Sequence, residues 1–237
     1  MSSCGSSLAR LTEDFMRRNF RFFVAYFMLS AKIGSSLIDG DRDVKAERGA
    51  DLSDGKTLFW LEHLCLTCVP SQKGNWHVCS FKREESRWDD TIALLKGDEV
   101  QFSVKLGNGS YGKAHCVSLN GTFIFSIHGE PDNRMKGIIV MSSSHKELFR
   151  VETSSHLISA AISEFGQYIA LSFAMGKDTA DPYSGRLEVI DLSTGEVKMS
   201  VEKSDKIYHA SLDVLEPDGE VFATSNGKSV LVYSNRI

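Results

Sequence analysis

Proline and cysteine are scarce in this sequence, and long apolar runs are absent. Only 4 prolines stand against 19 glycines in 237 residues, so glycine must form most of the turns. The longest apolar run, Phe22–Leu29, is far shorter than the ~20 residues that a membrane-spanning helix needs. With 42% hydrophobic and 24% charged residues, the composition is typical of a globular domain with a core of its own.

The five cysteines are odd in number and irregularly spaced, which disfavours a disulfide framework. A reducing compartment fits best and predicts a cytoplasmic protein, although this pattern leaves room for one bridge. Cys65 and Cys68, with His77 and Cys79 downstream, superficially offer four zinc ligands. Cys65 and Cys68 lie inside an apolar run, however, where buried thiols are common. In a strand their odd separation would point them to opposite faces. We therefore predict no metal and no cofactor.

Basic blocks and catalytic motifs are also missing. The net charge is −4, and no Lys/Arg cluster appears after the N-terminal segment, which argues against nucleic acid as a partner. The glycine-rich stretch Gly107–Gly112 lacks the Gly-Lys-Ser/Thr ending of a phosphate loop. No Gly-x-Ser-x-Gly elbow or His-x-x-x-His pair occurs. No catalytic residue is predicted, but a Ser/His/Asp triad stays open because its members can lie anywhere in the chain.

The N-terminal segment, residues 1–33, has a helical apolar pattern and supports three interpretations. It can be a helix packed on the following domain. It can be a signal-like stretch over 16–31, starting at Met16 with arginines before the apolar run, which would make the protein exported. It can also be a helix on a membrane surface, so membrane contact is expected only if residues 16–31 insert. The charged residues 34–51 are interpreted as a linker.

The most informative stretch is Ala161–Val201, in which short strand signals alternate with turns. A first strand ends at Ile162, and a Ser-x-x-Gly turn ends at Gly166. The almost unbroken apolar run Tyr168–Phe173 is typical of a strand buried on both faces. Two further strands, Leu187–Ile190 and Val197–Val201, complete a four-stranded antiparallel meander. Such a sheet cannot bury both faces alone, so it should stack on copies of itself.

Copies of this pattern align on the turn glycine. Gly121 lies 45 residues before Gly166 (166 − 121), and Gly219 lies 53 residues after it (219 − 166). Each is followed by an apolar strand and then by further strands, although the last copy has no fourth strand. A looser copy begins at Leu52 and extends to Gly112, either as one enlarged unit or as one unit plus part of another.

The Ser-x-x-Gly turn, the apolar strand and the run Leu187-Glu-Val-Ile-Asp-Leu-Ser-Thr-Gly195 resemble blades of WD40-like, YVTN-type and TolB-like β-propellers. No Gly-His or Trp-Asp pair stands in WD40 register, and the only Trp-Asp, at Trp88, lies in a charged stretch. The resemblance implies an all-β fold over residues 52–237. It would be a small or incomplete β-propeller of about four antiparallel four-stranded blades, with an N-terminal helix. Since four blades is the lower limit for a closed ring, a second copy closing an open sheet edge is a further expectation.

Loops between second and third strands are the candidate binding site. In a propeller, equivalent loops emerge on the same face, so the loops of two copies should be neighbours. The predicted partner-binding residues are Glu130, Asp132 and Arg134 in one loop, and Lys177, Asp178, Asp181 and Tyr183 in the other. A charged surface with one aromatic suits contact with another protein. We therefore predict a non-enzymatic protein-binding module, such as a scaffold or a toxin-neutralising partner. The alternative is a hydrolase or lyase with its site in the central channel.

Overall fold

The described part of the protein is built from strands alone. The computed structural model describes residues 45–61, 64–82, 88–107, 109–129, 132–178, 180–202, 211–215, 220–225 and 228–234. The predicted N-terminal helix, the signal-like stretch 16–31 and the first part of the predicted linker lie outside these residues. No helix within them is long and apolar enough to cross a membrane.

The first sheet has six antiparallel strands in chain order. They are β1 (Glu47–Asp51), β2 (Thr57–Leu61), β3 (Leu64–Pro70), β4 (Trp76–Lys82), β5 (Trp88–Lys96) and β6 (Glu99–Lys105). The loose first copy is thus one enlarged unit. Residues 47–51 differ from the predicted linker, because β1 pairs with β2 through Glu47–Trp60 and Arg48–Phe59. Its side chains are all exposed, which is why its composition is that of a solvated loop.

Three smaller meanders follow, and their strands match those expected from the turn spacing. The second sheet contains β7 (Ser110–Val117), β8 (Phe123–Gly129), β9 (Arg134–Met141) and β10 (Glu147–Glu152). The third contains β11 (Leu157–Ile162), β12 (Tyr168–Phe173), β13 (Arg186–Asp191) and β14 (Glu196–Glu202). The fourth contains β15 (Ser211–Leu215), β16 (Glu220–Ser225) and β17 (Lys228–Tyr233). These antiparallel meanders confirm the predicted all-β fold.

The sheets stack because their second strands are apolar on both faces. In β12, Ile169, Leu171 and Phe173 face the second sheet, whereas Tyr168 and Ala170 face the fourth. In β8, Phe123 and Phe125 face the first sheet and Ile124 faces the third. Strand geometry sends alternate side chains to opposite faces, so one strand contributes to two cores. Each large apolar side chain buried in this way stabilises the fold by about 1.5–3 kcal/mol.

The Ser-x-x-Gly turns have the same conformation in successive sheets. Gly121 and Gly166 have φ values of 79° and 74°, which favour glycine. Each glycine N–H donates to the serine carbonyl three residues earlier, at 3.2 Å in the first turn and 2.9 Å in the second. The oxygens of Ser118 and Ser163 accept main-chain N–H groups at the start of the next strand. The third glycine of the series, Gly219, lies outside the described residues.

These turns also nest against one another. The Leu119 N–H donates to the Glu164 carbonyl at 2.8 Å, and the Asn120 side chain donates to the Phe165 carbonyl. A Cβ at position 166 would lie 2.8 Å from the Thr122 side chain. Glycine is therefore needed at 166 both for its backbone conformation and for the close approach of two sheets.

The first sheet curls so that its edges meet. Lys45, just before β1, bridges to Glu99 at the start of β6, and the Ala46 N–H donates to the Asp98 carbonyl at 2.7 Å. The curl encloses an apolar cluster formed by Ala46, Phe59, Leu61, Leu66, Cys68, Cys79, Phe81, Ala93 and Leu95. The outer side of the same sheet packs on the second sheet through Val78, Ile92 and Leu94. The β1–β2 hairpin thus covers the face of the first sheet that points away from the second sheet.

The curled sheet contains a disulfide between β3 and β4. Cys68 and Cys79 are paired across the two strands, with their Cα atoms 4.0 Å apart, and both are fully buried. Cys65 is half-buried on the same strand, β3. The sequence thus contains one disulfide despite its odd number of cysteines. Cys68 and Cys79 bond to each other and not to a zinc ion. Among the described residues, no three metal-ligating side chains lie close enough together to hold a metal ion.

The outer strand β14 differs in detail from the expected alternation. A register shift lies between its pairs Met199–Val189 and Val197–Ile190. Only Met199 packs against the core between the third and fourth sheets. Val197 and Val201 are 47% and 40% exposed. A bulge of this kind bends an edge strand, which discourages pairing with another chain.

We predict that Gly166→Ala lowers the free energy of unfolding by about 2–4 kcal/mol. About 1 kcal/mol comes from the positive φ and the rest from the clash with Thr122. The matched control is Gly195→Ala, since Gly195 has a φ of 72° but nothing within 4 Å of its would-be Cβ. Urea denaturation measures both variants. Equal losses at the two positions would contradict the close approach of the sheets.

Candidate functional site

The loop between β12 and β13 is an ordered structure held by its own hydrogen bonds. The Ala174 N–H donates to the His156 carbonyl at 2.7 Å, and the Gly185 N–H donates to the Ala174 carbonyl at 3.0 Å. Inside the loop, the Gly176 N–H donates to the Ser184 hydroxyl at 2.8 Å. The Gly185–Ala174 bond thus holds the two ends of the loop together, and the Ala174–His156 bond ties the loop to the connection between β10 and β11.

Asp181 fixes this loop to the Thr153–Ser155 connection. Its Oδ2 lies within 3.0 Å of three hydroxyl oxygens and two main-chain nitrogens of Thr153, Ser154 and Ser155. Its Oδ1 accepts the Tyr183 N–H at 3.0 Å. A carboxylate has about four lone-pair positions, so these donors must share them. Asp181 is therefore occupied inside the molecule and is not free to contact a partner.

The pKa of Asp181 reflects this environment. Burial raises the pKa, but hydrogen bonds from Thr153, the Tyr183 main chain and the Ser154–Ser155 segment outweigh it and hold the pKa at about 2. The carboxylate is thus ionised at every pH at which the protein would normally be studied. Its role is that of an anchor, because the charged form is the one that accepts the bonds.

Tyr183 is also used within the fold. It is half-buried, its ring centroid lies 5.3 Å from that of Phe173, and it joins the apolar cluster between the second and third sheets. Met135, which follows the other candidate loop, belongs to the same cluster. The bases of the two candidate loops therefore contribute to one core.

The remaining predicted residues form the exposed part of the site. Lys177 and Asp178 are exposed, and the Asp178 carboxylate accepts the Ala180 N–H at 2.9 Å. Met175, which the sequence did not single out, is 73% exposed beside them. In the second loop Asp132 and Arg134 are exposed and form a long ion pair of 3.9 Å, whereas Glu130 lies outside the described residues. We call Met175, Lys177, Asp178, Asp132 and Arg134 the loop surface.

A hydrogen-bonded chain of side chains lies within the second sheet. The Ser126 hydroxyl is 2.8 Å from Nε2 of His115 and 2.8 Å from Nε2 of His128. The His128 ring stacks on Tyr111 at 5.0 Å. A hydroxyl donates one proton, so one imidazole donates to Ser126 and the other accepts from it. The histidines stand at unrelated sequence positions, which is why no spacing rule found them.

Burial determines the protonation and the accessibility of this hydrogen-bonded group of His115, Ser126 and His128. Desolvation lowers the pKa values of His115 and His128, so both are neutral at pH 7. Ser126 is only 1% exposed and His128 is 8% exposed, which keeps a substrate away from the hydroxyl. The Cys116 thiol nearby on β7 is inert for the same reason, because desolvation raises its pKa to about 12. These bonds therefore satisfy the Ser126 hydroxyl and the Nε2 atoms of His115 and His128 inside the sheet.

Comparison with known proteins gives similarity at the level of fold. No protein-family model and no characterised protein sequence matches the chain. The β-propeller domain of Cps50 (Swd1) from Myceliophteria thermophila is 12% identical over 67% of this chain and 47% of that chain, with a TM-score of 0.41. The RRP9 WD40 repeats are 13% identical over 79% and 56%, with a TM-score of 0.43.

The WD40 domain of coronin from Toxoplasma gondii is 13% identical over 81% of this chain and 54% of that chain, with a TM-score of 0.44. The chain thus spans about half the length of these solved WD40 domains.

We predict that Asp181→Asn lowers the free energy of unfolding by about 2–3 kcal/mol. The amide offers one acceptor oxygen and turns its NH2 group toward other donors. Asp178→Asn is the matched control, because that exposed carboxylate should change stability by no more than about 0.5 kcal/mol. Chemical denaturation measures the stability, and limited proteolysis reports the order of the loop. Equal stability of the two variants would contradict the anchoring role.

Stability should fall as the pH drops below about 6.5, the ordinary pKa of histidine. The folded state holds His115 and His128 neutral, whereas the unfolded chain binds protons there. Each histidine contributes a slope of at most about 1.4 kcal/mol per pH unit between its unfolded and folded pKa values. His115→Gln should reduce this slope in denaturation experiments between pH 7 and pH 5.

The control for this pH effect is His145→Asn. His145 is exposed and has a φ of 62°, which asparagine tolerates. This variant should keep the pH slope of the unchanged protein. If His115→Gln also keeps the full slope, the neutral histidine chain does not control the acid response.

Proposed function

We propose that the protein is a non-enzymatic protein-binding module that acts through the loop surface. The observation that carries this proposal is Met175, a large apolar side chain exposed at 73% on a loop that is otherwise fixed by hydrogen bonds. An exposed apolar side chain ringed by charges is a common feature of interaction sites. Methionine suits such a role because its flexible thioether adapts to different partner surfaces.

The order of the loop supports the proposal. Binding sites that are fixed before association lose little conformational entropy when a partner docks. Asp181 and the Ser184 hydroxyl fix the base of the loop, and Tyr183 fastens it to the core. Met175, Lys177 and Asp178 are thus displayed on a rigid base, as expected of contact residues.

The charges of the loop surface indicate the chemistry of the partner. Lys177 and Arg134 are cationic, and Asp178 and Asp132 are anionic, so the loop surface carries charges of both signs. A complementary surface would offer an apolar pocket for Met175 with charges of both signs at its rim. A scaffold and a toxin-neutralising partner would both use such a contact.

A second copy of the chain is the proposed neighbour of the fourth sheet. Among the described residues, β17 pairs only with β16, and no fourth strand follows in that sheet. Leu231 of β17 is 48% exposed. The curled first sheet covers its own free face, so it is poorly suited to close the ring against the fourth. Pairing of two copies at β17 would cover an edge that otherwise favours aggregation.

The test uses a variant of the loop surface, Met175→Ser combined with Lys177→Glu. We expect this double variant to lose at least about tenfold in affinity for a partner captured by the unchanged protein, since buried hot-spot side chains often contribute more than 1.4 kcal/mol. Quantitative capture from native lysate followed by titration of the purified partner measures the change. Circular dichroism confirms that the variant is folded.

The matched control is Phe165→Ser. Phe165 is 59% exposed but lies in a Ser-x-x-Gly turn at the opposite end of the sheets. This control should bind the partner normally. Loss of binding in the control alone would move the site to the turn end. The absence of any stoichiometric partner would contradict the binding function.

The compartment is open to a direct test. The sequence predicts a cytoplasmic protein, but the Cys68–Cys79 disulfide is of a kind that persists in oxidising compartments. We therefore infer export, the alternative offered by residues 16–31. Protein from its native source, acid-quenched and alkylated in denaturant, should carry label on Cys65 and Cys116 and none on Cys68 or Cys79. Labelling of Cys68 and Cys79 would restore the cytoplasmic prediction.

A further inference from the structure

Met175 differs in its exposure from the other methionines that the structure describes. It is 73% exposed, whereas Met135 and Met141 are 1% and 6% exposed. Met199 is partly buried in the core between the third and fourth sheets. Methionine is oxidised to its sulfoxide where an oxidant reaches the sulfur, so exposure selects the residue that reacts. Among the described methionines, Met175 is the one open to this reaction.

The surroundings of Met175 leave its side chain uncovered. Its Cε lies 3.8 Å from the position that a Cβ would take at Gly185. Because Gly185 has no side chain, it cannot shield the thioether. None of the four apolar clusters formed by the described residues includes Met175. The sulfur therefore has neither a core nor a neighbouring side chain from one of these clusters to protect it.

The main chain around Met175 is held independently of this side chain. The Gly176 N–H donates to the Ser184 hydroxyl at 2.8 Å, and the Gly185 N–H donates to the Ala174 carbonyl at 3.0 Å. Neither bond uses the thioether. A chemical change at the sulfur would thus alter the loop surface and leave the fold of the loop intact.

We propose that Met175 is an oxidation site at which a peroxide switches partner binding off. The Met175 sulfur attacks one oxygen of hydrogen peroxide, so that an S–O bond forms and the O–O bond breaks. The thioether is oxidised to a sulfoxide, the peroxide is reduced, and its second oxygen leaves as water with both protons. This inference rests on the proposed function, because the loop surface is the site that it regulates.

The sulfoxide changes the apolar part of the loop surface. It carries a polar oxygen that accepts hydrogen bonds from water and is costly to bury in an apolar pocket. The exposed charges of Lys177 and Asp178 stay as they are, so the contact made by the methionine is the one that is lost. A methionine sulfoxide reductase restores the thioether, which makes the switch reversible.

Peptide mass spectrometry of the folded full chain treated with dilute hydrogen peroxide tests the site. We expect Met175 to gain one oxygen atom at least about tenfold faster than Met135, Met141 or Met199, because the cores shield those three. In denaturant the four should react at similar rates, since their difference comes from the fold. Equal rates in the folded protein overturn the proposal. Circular dichroism verifies that the treated protein is folded.

Titration of the purified partner, obtained as described for the loop surface, tests the switch. The oxidised protein should bind at least about tenfold more weakly, and treatment with the reductase should restore the affinity. Met175→Leu is the matched control, because it keeps an apolar side chain of similar volume and leaves the other methionines and all cysteines in place. It should bind within about threefold of the unchanged protein and be insensitive to peroxide. If peroxide weakens this variant as strongly as the unchanged protein, the damage lies elsewhere and the proposal fails.

Failure of the switch and failure of the proposed function give different results. If Met175 is oxidised and the partner still binds with unchanged affinity, the switch is overturned while the binding function stands. If the double variant Met175→Ser, Lys177→Glu also binds normally, the loop surface is not the binding site, and the proposed function and the switch fail together.

Discussion

Close packing between sheets whose central strands are apolar on both faces is the constraint on which this structure depends. β12 is buried along its whole length and sends Leu171 into one core and Ala170 into the next. Such a strand has no stable position at the surface, so each sheet requires a neighbour on both sides. The nested Ser-x-x-Gly turns fix the spacing, because Gly166 admits the Thr122 side chain where a Cβ would not fit. The packing of the sheets on one another thus sets the positions of the loops that connect their strands.

The two ends of the stack meet this constraint differently. The first sheet covers its free face with its own β1–β2 hairpin and closes through Lys45 and Glu99. The fourth sheet has three strands among the residues described here. One end is thus covered by its own chain, whereas the other presents a strand edge. The loop surface lies between them on the second and third sheets, where stacking is complete and the loop bases are most firmly held.

Local patterns predicted the repeated part of this fold well. The run Tyr168–Phe173 gave the bounds of β12, and the spacing of Gly121 and Gly166 gave the succession of sheets. Features that depend on distant partners were not predictable in this way. The exposed strand β1 has a loop-like composition and is recognised only through its pairing with β2. In the candidate site, exposure of Lys177 and Asp178 could be read from the loop composition, and their role in binding a partner stays a prediction. The internal contacts of Asp181 and Tyr183 could not be predicted, because Thr153 and the core around Phe173 lie elsewhere in the sequence.

Native-state hydrogen exchange tests the stacking account most directly. The Leu119 amide is bonded to the Glu164 carbonyl of the adjacent sheet, whereas the Phe125 and Leu171 amides belong to strands within the second and third sheets. If the nested sheets unfold as one unit, these three amides should exchange with the same opening free energy, equal to that of global unfolding. Exchange of Leu119 several kcal/mol more easily than the strand amides, or separate free energies for the two sheets, would contradict the account.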